Sequence, residues 1–234
     1  MTKKIFTVLG ARPQFIKASV VSAAIARHPA LTEVLVHTGQ HFDANMSEVF
    51  FDELGMTPPT YQLDIHGGGH GDMTGRMLIE LERVMQSERP DAVLVYGDTN
   101  STLAGALVAA KLHIPVAHVE AGLRSFNMRM PEEINRVLTD RVSRWLYTPT
   151  DTATQHLLRE GTDPASIIQV GDVMLDVARF HGTRVTAEGG ALARHGLTPE
   201  MCIRDSSSRP RRGTHPLPGG RARRRWTRTG RNAA

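Results

Sequence analysis

A single cysteine, Cys202, excludes any disulfide within this chain and fits a reducing compartment. No apolar stretch approaches the length of a membrane span. The short apolar run between Lys4 and Arg12 is also too brief for the core of a signal peptide. Both absences predict a soluble, cytoplasmic protein with no membrane partner. Internal repeats are missing, as are the Walker A loop and the GxGxxG fingerprint, so neither common phosphate-binding motif applies. His66 and His70 flank a glycine run, but no cysteine or carboxylate cluster joins them, so no metal is expected. That run reads instead as a mobile loop over a sheet edge. Lysine is absent from residues 201–234, which carry ten arginines and one acid, Asp205. The high pI therefore belongs to this tail, because the other 18 basic residues are outnumbered by 23 acidic ones.

The most informative stretch is Asp91 to Arg124, DAVLVYGDTNSTLAGALVAAKLHIPVAHVEAGLR. Its first residues form a short Val- and Leu-rich run suited to a strand buried on both faces. Turn and capping residues follow at 97–101, then a small-residue helix, then Ile114-Pro115 and a second buried strand, VAHVE. Such a βαβ unit lays its strands parallel, so Asp98 and Glu120 finish at the same carboxyl edge, where open α/β sheets bind ligands. Each acid also has an ordinary reading. Asp98 could cap the next helix, and Glu120 could pair with Arg124.

Around this unit the pattern is alternately strand and helix. Residues 3–9 read as a first strand, and Gly10-Ala11-Arg12-Pro13 turns into a helix. That helix start, with Arg12 and Lys17, is a plausible anion cradle of free N–H groups. A second strand spans 31–41, an amphipathic helix 43–54 with Met46, Phe50 and Phe51 as core, and a short strand the segment YQLDI. Asp72 to Ser87 is helical. Pro131-Glu132-Glu133 opens another helix, with both acids in its first turn, where the dipole alone would account for them. Strands at SRWLYT and SIIQVGD and helices at DTATQHLLREG and VMLDVARFH complete an α/β, Rossmann-like parallel sheet.

The motifs GARPQFIK, TGQH, GDTNSTLAG, HVEAGLR and MPEEINR, in this order, resemble the non-hydrolysing UDP-N-acetylglucosamine 2-epimerases. HFDANMSEVFF, LDIHGG and GLRSFNMRMPEEINR are similar to the subgroup acting on UDP-2,3-diacetamido-2,3-dideoxyglucuronate. The resemblance runs from residue 3 to about 181. It implies the amino-terminal domain of a two-domain, GT-B-like fold with nucleotide sugar in the cleft between domains. It further implies Asp98, Glu120 and Glu132 as catalytic carboxylates and Arg12, Lys17, Arg124 and Arg136 near the diphosphate. Gln40 and His41 match an effector site of some members. The implied partners are a UDP-sugar and a second copy in a homodimer, and no cofactor is required. Members eliminate UDP anti across C1–C2 and re-add it, with the proton returned to the other face of C2. That chemistry needs a base near C2, an acid for the return, and cations for the departing diphosphate. A free glutamate, at about 4.3, is a poor base, and crowding acids together raises at least one of them.

The resemblance implies residues 1–181 as the epimerase domain and 182–200 as a linker or the start of a truncated second domain. Residues 201–234 hold no periodic apolar pattern and could build no core. One reading makes them a tail binding nucleic acid or acidic lipid non-specifically. Their Arg-, Pro- and Gly-rich text without lysine is read here as a frame-shifted end, and the chain as a fragment inactive on its own. A glycosyltransferase half built on the same plan, or a nucleotide-sugar-binding module, is the competing reading.

Overall fold

A computed structural model of the chain describes residues 2–40, 51 and 54–188, with side chains to 182. The expected helix at 43–54 (Met46 and Phe50 with it), His41 and the basic tail lie outside the described residues, Phe51 and Leu54 apart. Among the described residues are seven strands: β1 (Lys3–Leu9), β2 (Leu31–His37), β3 (Tyr61–Gln62), β4 (Ala92–Tyr96), β5 (Val116–Val119), β6 (Trp145–Thr148) and β7 (Ile167–Gln169). Between and after them come α1 (Arg12–Arg27), α2 (His70–Glu88), α3 (Asn100–Lys111), α4 (Pro131–Val142), α5 (Asp151–Arg159) and α6 (Val173–Glu188). A 3-10 turn at Pro164–Ser166 precedes β7. No helix among the described residues is long and apolar enough to cross a membrane.

All strands are parallel, in the order β3-β2-β1-β4-β5-β6-β7. The chain builds leftward from β1 to β3, then jumps to β4 and builds rightward. Right-handed crossovers therefore place the helices of the two halves on opposite faces. Alternate residues of the same strand feed two cores. Phe6, Val8, Val93 and Val95 pack under α2 and α3, with Met77, Leu81, Met85, Ala104 and Val108. Ile5, Leu9, Leu94 and Tyr96 face the other way, toward Phe15, Ala18 and Ile25 of α1 and toward Phe51. Being covered on both sides is why these strands read as continuous apolar runs.

The βαβ unit read from the sequence is present, with β4 beside β5 in the register Val93↔Val116 to Tyr96↔Val119. The short strand YQLDI is shorter still, since only Tyr61 and Gln62 pair with β2. At the opening turn, glycine is required by close approach. A Cβ on Gly10 would lie 2.0 Å from Ser101 Oγ and 2.4 Å from Thr38 Oγ1. The β1–α1 turn thus presses directly on the start of α3, and this brings the two halves of the sheet edge together.

Candidate active site at the carboxyl edge

Asp98 and Glu120, two of the three predicted acids, sit at the carboxyl edge beside the seam between the sheet's two halves. β4 ends at Tyr96, and Gly97 turns the chain with φ +64°. Thr99, not Asp98, caps α3, its hydroxyl accepting from Thr102 N at 3.2 Å. Asp98 is therefore left out of the capping role that its position invites. Its carboxylate is instead paired with Arg136 of α4. Glu120 follows β5 in the left-handed region, at φ +70°, a conformation a non-glycine residue keeps only when its surroundings enforce it. Its Oε2 lies 3.4 Å from where a Cβ on Gly97 would stand, so the carboxylate leans over the turn that carries Asp98. Glu120 is paired with Lys17 of α1, not with Arg124. Two acids from neighbouring strands thus flank one glycine, each held by a cation from a different helix.

Glu132 and Glu133 separate completely. Glu132 is exposed at the start of α4 and makes no hydrogen bond or ion pair with the other acids among the described residues. Glu133 is 1% exposed and accepts from the amides of Ser125 (3.0 Å) and Phe126 (2.8 Å), and from Arg136 at 2.6 Å. Burial alone would raise its pKa, but those amides and that guanidinium outweigh burial and hold it at about 2. The loop after Glu120 is pinned by this buried anion.

The anion cradle expected at the start of α1 needs correction. Gln14 is 2% exposed, and its Oε1 accepts from Gly10 N (2.8 Å) and Ala11 N (3.0 Å). Two amides expected to be open to a ligand are thus satisfied from within. The same side chain donates through Nε2 to Tyr96 O (2.7 Å) and Thr102 Oγ1 (2.9 Å), tying the β1–α1 turn to the β4–α3 turn. Arg12 is exposed at this edge. Gln40 reaches across it, its Oε1 accepting from Ser101 Oγ at 2.9 Å.

Arg124, expected at the diphosphate, is turned inward. Its side chain is 1% exposed, paired with Asp140 at 2.7 Å and with Glu160 through two donors at 2.8 and 2.7 Å. Asp140 also accepts from Gly122 N (3.1 Å) and contacts His118 (2.6 Å). Sequence reasoning missed Gln14, His118, Asp140 and Glu160. One signal was available, because His118 interrupts an otherwise apolar buried strand. The glycine-rich loop, expected to be mobile, is held by Arg76, which donates to His66 O at 3.1 Å and Gly67 O at 2.9 Å. No group of three metal-ligating side chains occurs among the described residues.

The chain has close relatives. A family model described as UDP-N-acetylglucosamine 2-epimerase matches residues 23–201. A UDP-2,3-diacetamido-2,3-dideoxy-D-glucuronate 2-epimerase of Pseudomonas aeruginosa is 64% identical over 196 residues, 83% of this chain and 55% of that protein. A UDP-N-acetylglucosamine 2-epimerase of Escherichia coli is 38% identical over 177 residues, 74% of this chain and 46% of that one. The crystal structure of Methanocaldococcus jannaschii UDP-GlcNAc 2-epimerase in complex with UDP-GlcNAc and UDP superimposes with a TM-score of 0.74 at 44% identity. It covers 88% of this chain and 54% of that one. The chain spans about half the length of the relatives it matches.

Proposed function

Because the chain belongs to the UDP-N-acetylglucosamine 2-epimerase family, we propose that it carries the acid-bearing wall of a site that inverts C2 of a UDP-2-acetamido sugar. The observation that supports this most directly is the pairing of Asp98 and Glu120 across Gly97, each neutralised by a cation. The C2 hydrogen of an intact nucleotide sugar has no neighbouring carbonyl to acidify it. Elimination solves the problem. A carboxylate removes the C2 proton, the C–H electrons form the C1=C2 bond, and the C1–O electrons leave with UDP. Return of UDP and reprotonation from the other face give the inverted sugar.

In this reading Asp98, Glu120 and Glu132 supply base and acid, with Glu132 at the exposed rim. Lys17, Arg136 and Arg12 face the diphosphate, and Arg124 serves the framework beneath. The two ion pairs suit the chemistry. A bound diphosphate competes for Lys17 and Arg136, and a carboxylate released from its cation is free to turn toward the sugar. Substrate binding would then arm the acids that act on it. Of the two sugars considered, the diacetamido glucuronate is favoured by the 64% identity to a relative named for it.

The test uses the full-length gene product with UDP-GlcNAc and, separately, with the diacetamido glucuronate in D2O. Deuterium at C2 with either sugar is the expected result. Its absence with both would refute the reading, and sugar transfer to an acceptor without exchange would place the chain among glycosyltransferases.

A further inference from the structure

Asn135 is buried in α4, between the two residues of that helix already placed beside the site, Glu133 and Arg136. Its Nδ2 is 2.9 Å from the carbonyl oxygen of Asp98 and 3.2 Å from Asn100 Oδ1. A carbonyl oxygen only accepts, so the group that faces it is the amide NH2 and not the amide oxygen. Both protons of that group are then used, one on the backbone at Asp98 and one on the side chain two residues later. Asn100 in turn presents its own NH2 toward His70 Nδ1, at 3.4 Å. The next residue of α4, Arg136, holds the Asp98 carboxylate. One helix therefore grips this acid twice, by its backbone and by its side chain.

We propose that Asn135 is a positioning residue for Asp98, fixing where the carboxylate stands once the substrate has drawn Arg136 away. The inference rests on Asp98 being one of the reacting acids proposed above. The carbonyl of Asp98 and the amide of Thr99 form one rigid plane. Asn135 holds its oxygen, and its N–H donates to Thr102 Oγ1 at 3.2 Å. The plane before Asp98 is held likewise, since the Gly97 oxygen lies 2.7 Å from His118 Nε2. With both flanking planes fixed, the direction in which the Asp98 side chain leaves the backbone is fixed too. The Arg136 pair cannot serve in its place through the reaction, because a diphosphate competes for a guanidinium. Asn135 is uncharged and enclosed, so an anion has no hold on it. The two neighbours on α4 thus divide the task. Arg136 answers to the ligand, and Asn135 keeps the acid in register while it does. Loss of Asn135 should leave binding intact and misplace the reacting group.

The experiment compares the full-length gene product with its Asn135→Asp and Asn135→Ala variants. Asn135→Asp keeps the shape and removes both donors, and Asn135→Ala takes over should the first fail to fold. The assay is deuterium entry at C2 in D2O, with whichever of the two sugars the unaltered enzyme turns over. We expect kcat to fall about 10- to 100-fold while KM changes by less than about twofold. Amide exchange at Thr99, followed by mass spectrometry without substrate, should quicken about tenfold, roughly the loss of one hydrogen bond. A merely structural asparagine would lower the unfolding midpoint and leave kcat per folded molecule unchanged. That outcome overturns the proposal, as does a raised KM with kcat kept, or unchanged exchange at Thr99. If the unaltered enzyme exchanges neither sugar, the reading of the reaction fails instead, and exchange at Thr99 still decides whether Asn135 holds Asp98.

Discussion

Two neighbouring glutamates show what a sequence reveals at the scale of a residue. Glu132 and Glu133 are chemically identical and share one helical turn, yet one faces solvent and the other is enclosed. Which is which depends on the phase of α4, and its apolar pattern misleads. Its buried side chains are Glu133, Asn135, Thr139 and Asp140, whereas Ile134 and Leu138 are 40% and 47% exposed. Hydrophobic periodicity assigns the wrong face here because this helix packs through ion pairs and hydrogen bonds. Glu133→Gln should therefore destabilise the chain by about 1.5–3 kcal/mol in chemical denaturation, the range for hydrogen bonds to a charged group. Glu132→Gln should change stability by less than about 0.5 kcal/mol. The pH dependence follows in sign. The Glu133 pKa falls from 4.5 to about 2 on folding, so its contribution is complete above 4.5 and lost as the pH drops toward 2. Amide exchange at Ser125 and Phe126, measured across that interval and corrected for intrinsic rates, should show their protection declining there.

At the scale of the element, the strand–helix alternation was legible because the central strands are mostly apolar and the turns between them carry glycine, proline or capping side chains. Thr99 and Thr150 cap α3 and α5 as such residues do. What could not be read was which glycines are there for space and which for nothing visible. Gly10→Ala should cost about 1–3 kcal/mol, the range for overpacking, because the added methyl would also break the Thr38–Ser101 hydroxyl bond at 2.8 Å. Gly75, inside α2, has nothing within 4 Å of its absent Cβ. Gly75→Ala should raise stability by about 0.5–1 kcal/mol through helix propensity and unfolded-state entropy. Opposite shifts in the denaturation midpoint of the two variants are the expected result.

At the scale of the whole molecule, the topology places the site. The sheet grows in opposite directions from the seam between β1 and β4, and the turns leaving those strands part there. The carboxyl edge itself was legible in the βαβ unit that carries Asp98 and Glu120. The reversal of strand order was not, and neither were the bonds that close the seam, because a buried glutamine looks like any other polar residue in a helix's first turn. Gln14→Met keeps the volume and strands the amides of Gly10 and Ala11, while Tyr96 O keeps the Thr102 hydroxyl, so a loss of about 2–4 kcal/mol is expected by thermal or chemical unfolding.

The partners of Gln14 in β4 and α3 lie 82 to 88 positions away along the chain. A knot of that span cannot be tied while the polypeptide is still emerging from the ribosome with its first two strands alone. The seam must wait until the second half of the sheet has been synthesised and docked. The acids that flank it should consequently be among the last groups to find their places and, under mild stress, among the first to lose them.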